Sequence, residues 1–318
     1  MNEAAELDRA LLEAAKAAAA GAAAVHRRYA GQLGPAEWAE KGTSDFVTRV
    51  DLEAERLIVA ALRERFPYHV FLAEEGTVEE GSVDENSGKA GRDTAAARIL
   101  WIIDPLDGTT NWLHGYPEYA VSIAAVDADG LRVGVVLNSA TGEEYEAVRG
   151  GGSRRNGKPI RTSDLREIRL ALLGTGFPFK RAELMQPYLE TLGRALLGTA
   201  GVRRAGAAAL DLCALACGRT DGFWETWLMP WDVAAGALIV REAGGVFTSL
   251  RIDPPDGELA LLSNVARAGE EGAALFEGRL AWKPWSRSRI PGLAGSAYMA
   301  ANAHLVDDLT RVLNTPTV

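Results

Sequence analysis

Apolar residues recur at helical spacing in two stretches near the N-terminus. Leu7 and Leu11 share a face of the first stretch. Ala54 and Ile58 share a face of the second, which ends at Pro67. The pattern predicts two amphipathic helices, each with one side turned toward a core.

Short, unbroken apolar runs predict strands that are buried on both faces. Residues 70–73 and 99–103 are runs of this kind, and acidic residues follow each of them directly. Residues 119–126 and 131–136 predict two further strands with a tight turn between them. The first half of the chain therefore combines helices with a sheet.

Strands and helices alternate in the second half. Residues 168–173 predict a strand and residues 185–197 a helix, and the small residues 206–209 begin another helix. A further strand is predicted to end at Glu225, and Asp232 is predicted at the N-cap of the next helix. One oxygen of such a carboxylate can accept a backbone N–H while the other binds a metal.

The sequence DPLDG at residues 104–108 follows one of the buried runs. Ligands in open α/β sheets bind beyond the carboxyl ends of strands. Pro105 fixes φ and Gly108 permits a left-handed turn, so two carboxylates can converge and leave the Leu106 carbonyl free. The polar residues 109–111 are of helix-capping types, and helix N-termini favour anions. The stretch predicts metal-assisted phosphoryl chemistry; the alternative is an acidic turn that only closes a strand.

Composition restricts the partners. The chain has 318 residues, 47% hydrophobic and 24% charged, and a net charge of −9, which makes nucleic-acid binding unlikely but leaves room for cation-assisted binding of an anion. The N-terminus lacks a signal peptide's basic start, and no apolar run is long enough to span a bilayer. We expect a cytoplasmic protein without a membrane partner.

Three other features have structural explanations. Cys213 and Cys217 are predicted to be small buried hydrophobes, because further zinc ligands are missing nearby. The glycines 150–152 lack the spacing of a dinucleotide fingerprint and predict a loop. Asp51 has capping-box spacing with Thr48 and could simply stabilise a helix start.

Three long motifs, in this order, resemble those of the inositol monophosphatase-like superfamily and its inositol-1-monophosphatase branch. They are TSDFVTRVD with FLAEEG (residues 43–51 and 71–76), WIIDPLDGTTNWLHGYP (residues 101–117) and PWDVAAGALIVREAGG (residues 230–245). The resemblance implies an α+β fold, the layered αβαβα sandwich of the inositol monophosphatase/fructose-1,6-bisphosphatase type. It also implies an N-terminal α+β half, residues 1–162, and a C-terminal α/β half, residues 163–318.

The same resemblance implies a set of metal ligands. Glu74, Asp104, the Leu106 carbonyl and Asp107 would hold a first ion. Asp104, Asp107 and Asp232 would hold a second, and a weaker third would lie near Glu74. These all-oxygen donors suit two or three Mg²⁺ ions, with Mn²⁺ as the alternative.

The resemblance also assigns catalytic and substrate-binding residues. Asp51, Glu74 and Thr109 would be catalytic, with Thr109 and Asp51 orienting and deprotonating the attacking water. The residues that would contact the phosphate or the alcohol are Asp107, Gly108, Thr109, Gly206, Ala207, Ala208, Glu225 and Asp232. Position 207 is Ala where some members carry a hydroxyl residue. Any polar contact there is therefore made by the backbone or is absent.

We expect a Mg²⁺-dependent phosphomonoesterase acting on a small sugar or cyclitol phosphate, first of all myo-inositol 1-phosphate. The alternatives in the same fold are phosphatases of histidinol phosphate, fructose 1,6-bisphosphate, NADP or adenosine 3′,5′-bisphosphate. A regulatory member that binds protein or RNA is a further alternative. A non-catalytic member should have lost at least one of the site residues, but all six are present: Asp51, Glu74, Asp104, Asp107, Thr109 and Asp232. The family suggests a homodimer. In the segment 250–291 aromatic and cationic residues alternate and could bind single-stranded nucleic acid, but the acidic chain favours a lid, an oligomer contact or a surface excursion there.

Overall fold

A computed structural model describes most of the chain. The described residues are 3–34, 39–42, 45–76, 78–79, 99–127, 129–179, 184–253, 260–263 and 296–314. Outside them lie residues 43–44 of the first motif, most of the predicted loop at 77–98, and residues 254–259 and 264–291 of the segment 250–291.

The described residues form seven α-helices. These are α1 (Glu3–Tyr29), α2 (Arg49–Arg65), α3 (Thr109–Leu113), α4 (Met185–Gly198), α5 (Ala208–Ala216), α6 (Pro230–Glu242) and α7 (Val306–Asn314). The predicted helices at the N-terminus and at residues 185–197 are confirmed. No helix in these ranges is long and apolar enough to cross a membrane.

The first large sheet has eight strands in the described ranges, in the order β10-β9-β8-β7-β6-β5-β3-β4. They are β3 (Val70–Ala73), β4 (Val78–Glu79), β5 (Leu100–Asp107), β6 (Ala120–Asp127), β7 (Gly130–Asn138), β8 (Glu144–Val148), β9 (Gly152–Arg155) and β10 (Lys158–Pro159). A separate pair, β1 (Ala39–Gly42) and β2 (Asp45–Val47), precedes them. Only β3 and β5 pair in parallel among these eight, which brings the acids after both strands to one end.

The second large sheet has six described strands in the order β12-β11-β13-β16-β14-β15. They are β11 (Leu172–Thr175), β12 (Gly201–Arg203), β13 (Gly222–Leu228), β14 (Gly245–Asp253), β15 (Ala260–Ser263) and β16 (Ser296–Asn302). Strand β11 pairs in parallel with both β12 and β13, whereas β16 runs antiparallel to its neighbours.

Buried apolar side chains join these elements into five layers. Helices α1 and α2 cover one face of the first sheet, and Ile58 of α2 belongs to the same buried cluster as Trp101 and Ile103 of β5. Helices α5 and α6 lie between the two sheets, and α4 and α7 cover the outer face of the second. Because Ile102 belongs to the middle layer and Ile103 to the outer one, β5 is buried on both faces. The predicted αβαβα sandwich is confirmed.

Two loops explain motifs seen in the sequence. Between β8 and β9, the N–H groups of Gly150 and Gly152 donate to the carboxylate of Glu242 at 2.8 and 2.9 Å. This glycine loop therefore holds a carboxylate of the fold, at the C-terminal end of α6. Asn156 and Gly157 have φ values of 50° and 72°, as a tight hairpin turn requires.

The predicted strand at residues 168–173 is partly wrong. Residues Ile168–Leu170 form a 3₁₀ turn, closed by a hydrogen bond from Ala171 N–H to the Ile168 carbonyl at 3.0 Å. Strand β11 begins only at Leu172, whose N–H donates to the Asp221 carboxylate at 2.8 Å. Apolar composition alone did not distinguish this turn from a strand end.

Candidate active site

The acidic turn is the end of β5 rather than a loop after it. The strand continues to Asp107, which corrects the predicted end at Ile103, and its pairing with β6 is irregular between Asp104 and Asp107. One Asp104 oxygen accepts the Leu106 N–H at 3.0 Å. This bulge places both acids at the same end of the sheet.

Gly108 brings the turn against the second half of the chain. Its φ is +89°, and a Cβ there would lie 2.8 Å from the Glu118 carbonyl oxygen and 3.3 Å from the Ala207 Cβ. Only glycine combines this backbone conformation with this close approach. The Asn111 amide bridges the same two segments, donating to the carbonyls of Glu118 at 2.6 Å and Ala205 at 2.9 Å.

The predicted capping of α3 by residues 109–111 is wrong. The N-cap is Gly108, and no side chain donates or accepts a capping hydrogen bond there. Asn111 is instead used between segments, and the Thr109 hydroxyl lies 3.0 Å from both the Asp51 carboxylate and the Leu106 carbonyl. Having one proton, this hydroxyl donates to one of these two acceptors at a time.

Asp51 has both of the roles considered for it. One carboxylate oxygen accepts the Thr48 N–H at 2.9 Å and the Thr48 hydroxyl at 2.6 Å, which completes a capping box at the start of α2. The other oxygen accepts the Thr109 hydroxyl. Burial raises the pKa of Asp51, and the hydrogen bonds from Thr48 and Thr109 oppose the rise.

Asp232 lies at the third position of α6 and not at its N-cap. Pro230 occupies the first turn, Met229 is the N-cap, and an Asp232 oxygen accepts the Met229 N–H at 2.6 Å. The physical reason is that proline suits the first helical position, since it lacks the N–H that would be unsatisfied there. Asp232 still lines the pocket described next.

Four acids face one pocket with a volume of about 400 Å³. They are Glu74, Asp104, Asp107 and Asp232, and the Leu106 carbonyl segment lines the same pocket. Burial, then the charges of Glu74, Asp107 and Asp232, raise the pKa of Asp104 well above its ordinary value. Mutual repulsion of this kind is relieved when cations lie between carboxylates.

Asp107 also connects the two halves of the chain. Its carboxylate accepts the Ala209 N–H at 2.8 Å, at the start of α5. Burial and the charge of Asp232 raise the pKa of Asp107 well above its ordinary value, and the hydrogen bond from Ala209 opposes the rise. Asp107 therefore belongs to the first half of the chain, while a backbone N–H of the second half fixes its carboxylate.

The donor types fit Mg²⁺ or Mn²⁺, because all of them are oxygens. Within the described ranges, however, no three His, Cys, Asp or Glu side chains are arranged around one point as metal ligands would be. The four acids thus share the pocket without being closed around a single centre. Their assignment as ligands stays a prediction.

The structure brings Glu225 and Gly206 to the pocket, but not the two alanines. Ala207 and Ala208 are buried behind its wall, where Ala207 faces the turn at Gly108. Burial, followed by the charges of Asp211, Asp232 and Asp107, raises the pKa of Glu225 well above its ordinary value, and Arg204 opposes the rise.

Glu225 lies within β13 and not at its end, which corrects the prediction. The strand continues to Leu228 after an irregularity, and Trp227 there has a φ of +68°. The Glu225 carboxylate packs so closely on Gly176 that a Cβ at position 176 would overlap it. The position of the Glu225 carboxylate therefore depends on Gly176, a glycine in another segment.

Sequence reasoning missed the aromatic and cationic side of the pocket. It is formed by Phe177, Phe179, Arg204 and Trp227, which we call the outer wall. The Arg204 guanidinium lies over both phenylalanine rings, 5.3 and 5.0 Å from their centres. The adjacent arginines at 203–204 were visible in the sequence and indicated a cationic site. Nothing in the sequence indicated the left-handed conformation of Trp227.

Comparisons with known proteins agree with this fold. The chain is 49% identical over 210 residues to the Nus factor SuhB of Pseudomonas aeruginosa, covering 65% of this chain and 73% of that protein. It is 41% identical over 210 residues to the Nus factor SuhB of Escherichia coli K12, covering 66% and 74%.

Two solved structures match nearly the whole chain. The extragenic suppressor protein SuhB of Bartonella henselae has 31% identity and a TM-score of 0.74, covering 97% of this chain and 100% of that one. The inositol monophosphatase of Anabaena has 32% identity and a TM-score of 0.68, covering 96% and 95%. The model of the inositol monophosphatase family matches residues 7–278, and with these similarities the chain belongs to that family.

Proposed function

We propose that the protein is a Mg²⁺-dependent phosphomonoesterase of small sugar or cyclitol phosphates, with myo-inositol 1-phosphate as the first substrate to test. The observation that carries the proposal is that four carboxylates from three segments face one pocket beside the hydrogen bond between Thr109 and Asp51. Membership of a family that is typically Mg²⁺-dependent supports it.

In this proposal Glu74, Asp104, the Leu106 carbonyl, Asp107 and Asp232 hold two or three Mg²⁺ ions. Bound there, the ions would supply charge neutralisation and an acidified water. The chain's own acids would hold them in place: the Asp107 carboxylate accepts the Ala209 N–H and the Asp232 carboxylate accepts the Met229 N–H, which fixes both acids at the pocket.

Thr109 and Asp51 form the proposed proton path. The Thr109 hydroxyl donates to Asp51 and can accept a proton from a water on its pocket side. Burial raises the pKa of Asp51, which makes this carboxylate a better base than an exposed one. The backbone N–H groups of Gly108 and Thr109 would hold the phosphate.

On the alcohol side, we assign substrate hydroxyl contacts to Glu225 and the Gly206 backbone. Because the pKa of Glu225 is raised, its carboxyl group can donate a hydrogen bond as well as accept one. Ala207 and Ala208 would act through their backbone at the start of α5 rather than through side chains.

The test is phosphate release from inositol 1-phosphate, histidinol phosphate, fructose 1,6-bisphosphate, NADP and adenosine 3′,5′-bisphosphate, with Mg²⁺ and with excess EDTA. We expect EDTA-sensitive turnover with inositol 1-phosphate among the best substrates. Metal binding without turnover of any of the five esters would contradict the proposal.

A second candidate function comes from the relatives in P. aeruginosa and E. coli, both of which are Nus factors by name. These relatives are 49% and 41% identical to the chain. The second proposal is therefore that the chain also has a role in a transcription complex, beside catalysis. Co-migration with assembled transcription elongation complexes tests it. An Asp104→Asn variant that still co-migrates would separate this role from catalysis, and absence of co-migration would argue against it.

The predicted homodimer, the cytoplasmic location and the division of the chain at residue 162 remain proposals. Light scattering of the purified protein measures its molar mass and so tests the homodimer directly. A mass of one chain, 33.9 kDa, would contradict the homodimer.

A further inference from the structure

The charges around the pocket are divided between its two sides. Glu74, Asp104, Asp107 and Asp232 lie on one side, whereas the described outer wall carries a cation, Arg204. Among the residues that the structure describes, Arg204 forms no ion pair with an acid, although its charge reaches Glu225 and opposes the rise in the pKa of that acid. The pocket therefore holds a guanidinium that the fold leaves without a carboxylate partner in the described ranges.

Contacts with aromatic rings hold this guanidinium in place. Arg204 lies over Phe177 and Phe179 within the range of cation–π attraction, and a Cβ at Gly206 would lie 2.6 Å from one of its terminal nitrogens. The rings occupy the face of the group and leave its N–H edge for hydrogen bonds. Arginine uses this edge to bind phosphate or carboxylate with two parallel hydrogen bonds.

Trp227 completes the outer wall in a conformation that costs free energy. A φ of +68° is rare for a bulky residue, and such strain persists where the surrounding structure imposes it, commonly at ligand sites. The tryptophan faces the same pocket as Arg204 and the two phenylalanines. The outer wall thus offers apolar surface for a carbon frame together with one positive edge.

We propose that Arg204 determines specificity by binding a second anionic group, a phosphate or carboxylate, on the alcohol part of the substrate. The inference rests on the proposed phosphatase function and extends its substrate class beyond inositol 1-phosphate. The reacting phosphate lies on the carboxylate side with the cations, and the second anion lies against the outer wall. Cationic alcohols such as histidinol are disfavoured there by like-charge repulsion.

The test compares fructose 1-phosphate with fructose 1,6-bisphosphate, which differ only in the second phosphate, at saturating Mg²⁺. We expect Arg204→Gln to lower kcat/KM for the bisphosphate about tenfold, since hydrogen bonds to charged groups contribute on this order. The value for the monophosphate should stay within about twofold. Arg204→Lys keeps the charge without the two-pronged geometry and should retain part of the preference.

Arg203→Gln is the matched control. Arg203 is adjacent and also exposed, but its guanidinium donates to the Val202 carbonyl and does not line the pocket. The Arg203→Gln variant should therefore hydrolyse both esters with the wild-type kcat/KM. Light scattering of each variant checks that the oligomeric state is the same.

A parallel loss on both esters in Arg204→Gln, or no loss on the bisphosphate, overturns the inference. If the wild type hydrolyses neither these esters nor inositol 1-phosphate, the proposed function fails instead. Calorimetric binding of the same two esters in Ca²⁺ then decides the role of Arg204. A preference for the bisphosphate that disappears in Arg204→Gln supports it, and equal binding by the wild type overturns it.

Discussion

The two sides of the pocket are built in different ways. On the carboxylate side, Asp104 and Asp107 are separated by two residues and are placed by one bulged strand end. On the opposite side, Phe177, Arg204 and Trp227 come from three separate segments and meet only through tertiary contacts. Glu74 and Asp232 reach the carboxylate side from two other segments. The pair of acids placed by one short motif can be recognised from its sequence, whereas the parts of the pocket that are assembled from distant segments require the fold.

The largest expected effect is on the carboxylate side. Asp104→Asn removes a charge that would bind two cations, and phosphate release should fall by about 10³-fold or more, because metal ions supply several kcal/mol of transition-state stabilisation. Circular dichroism and thermal unfolding should show a folded protein. Near-wild-type turnover would contradict both the ligand assignment and the division of the pocket into two sides.

The next effect concerns Thr109, which belongs to the same short motif. Thr109→Val keeps the shape of the side chain but removes the hydroxyl that donates to Asp51. We expect kcat to fall about 10²-fold, the lower range for loss of general acid–base catalysis, with a small change in KM. Steady-state kinetics on inositol 1-phosphate measure both values.

Thr110→Val is the control for this substitution. Thr110 is the neighbouring residue, and it is exposed at the same pocket. Its variant should keep kcat near the wild-type value. Equal losses in the two variants would mean that the hydroxyl of Thr109 has no special role.

A smaller effect is expected on the alcohol side. Gly176→Ala would place a methyl group on the Glu225 carboxylate and displace it, so KM should rise about tenfold while the Mg²⁺ dependence stays unchanged. The free energy of unfolding should fall by about 1–3 kcal/mol through overpacking. Gly193→Ala, where nothing lies within 4 Å of the new methyl, is the control and should not destabilise the protein. A changed Mg²⁺ dependence in Gly176→Ala would show that the two sides are not separate.

These residues also show how far sequence can lead. The unbroken apolar run before Asp104 correctly predicted a strand buried on both faces, because burial depends on composition over a few residues. Pro230 was a signal for the start of α6 that would have placed Asp232 at its third position. The conformation of Trp227 could not be predicted, since it depends on how β13 pairs with β16 around it.

The smallest expected effect concerns stability without Mg²⁺, and it distinguishes the two sides by pH. The folded-state pKa values of Asp104 and Asp107 are raised by burial and by neighbouring acids, so the folded protein retains protons that the unfolded chain loses as pH rises above the ordinary value of 3.8. Their contribution to stability is present below that pH and is lost as pH rises through the raised pKa values.

In EDTA, the melting temperature should therefore fall as pH rises from mildly acidic toward neutral, and Mg²⁺ should remove the fall. Asp104→Asn should flatten the dependence. Arg204→Gln should change the slope less, because the charge of Arg204 opposes the rise in the pKa of Glu225 and removes none of the acids themselves. A steeper change in Arg204→Gln than in Asp104→Asn would show that the outer wall, and not the acid turn, controls the charge of the pocket.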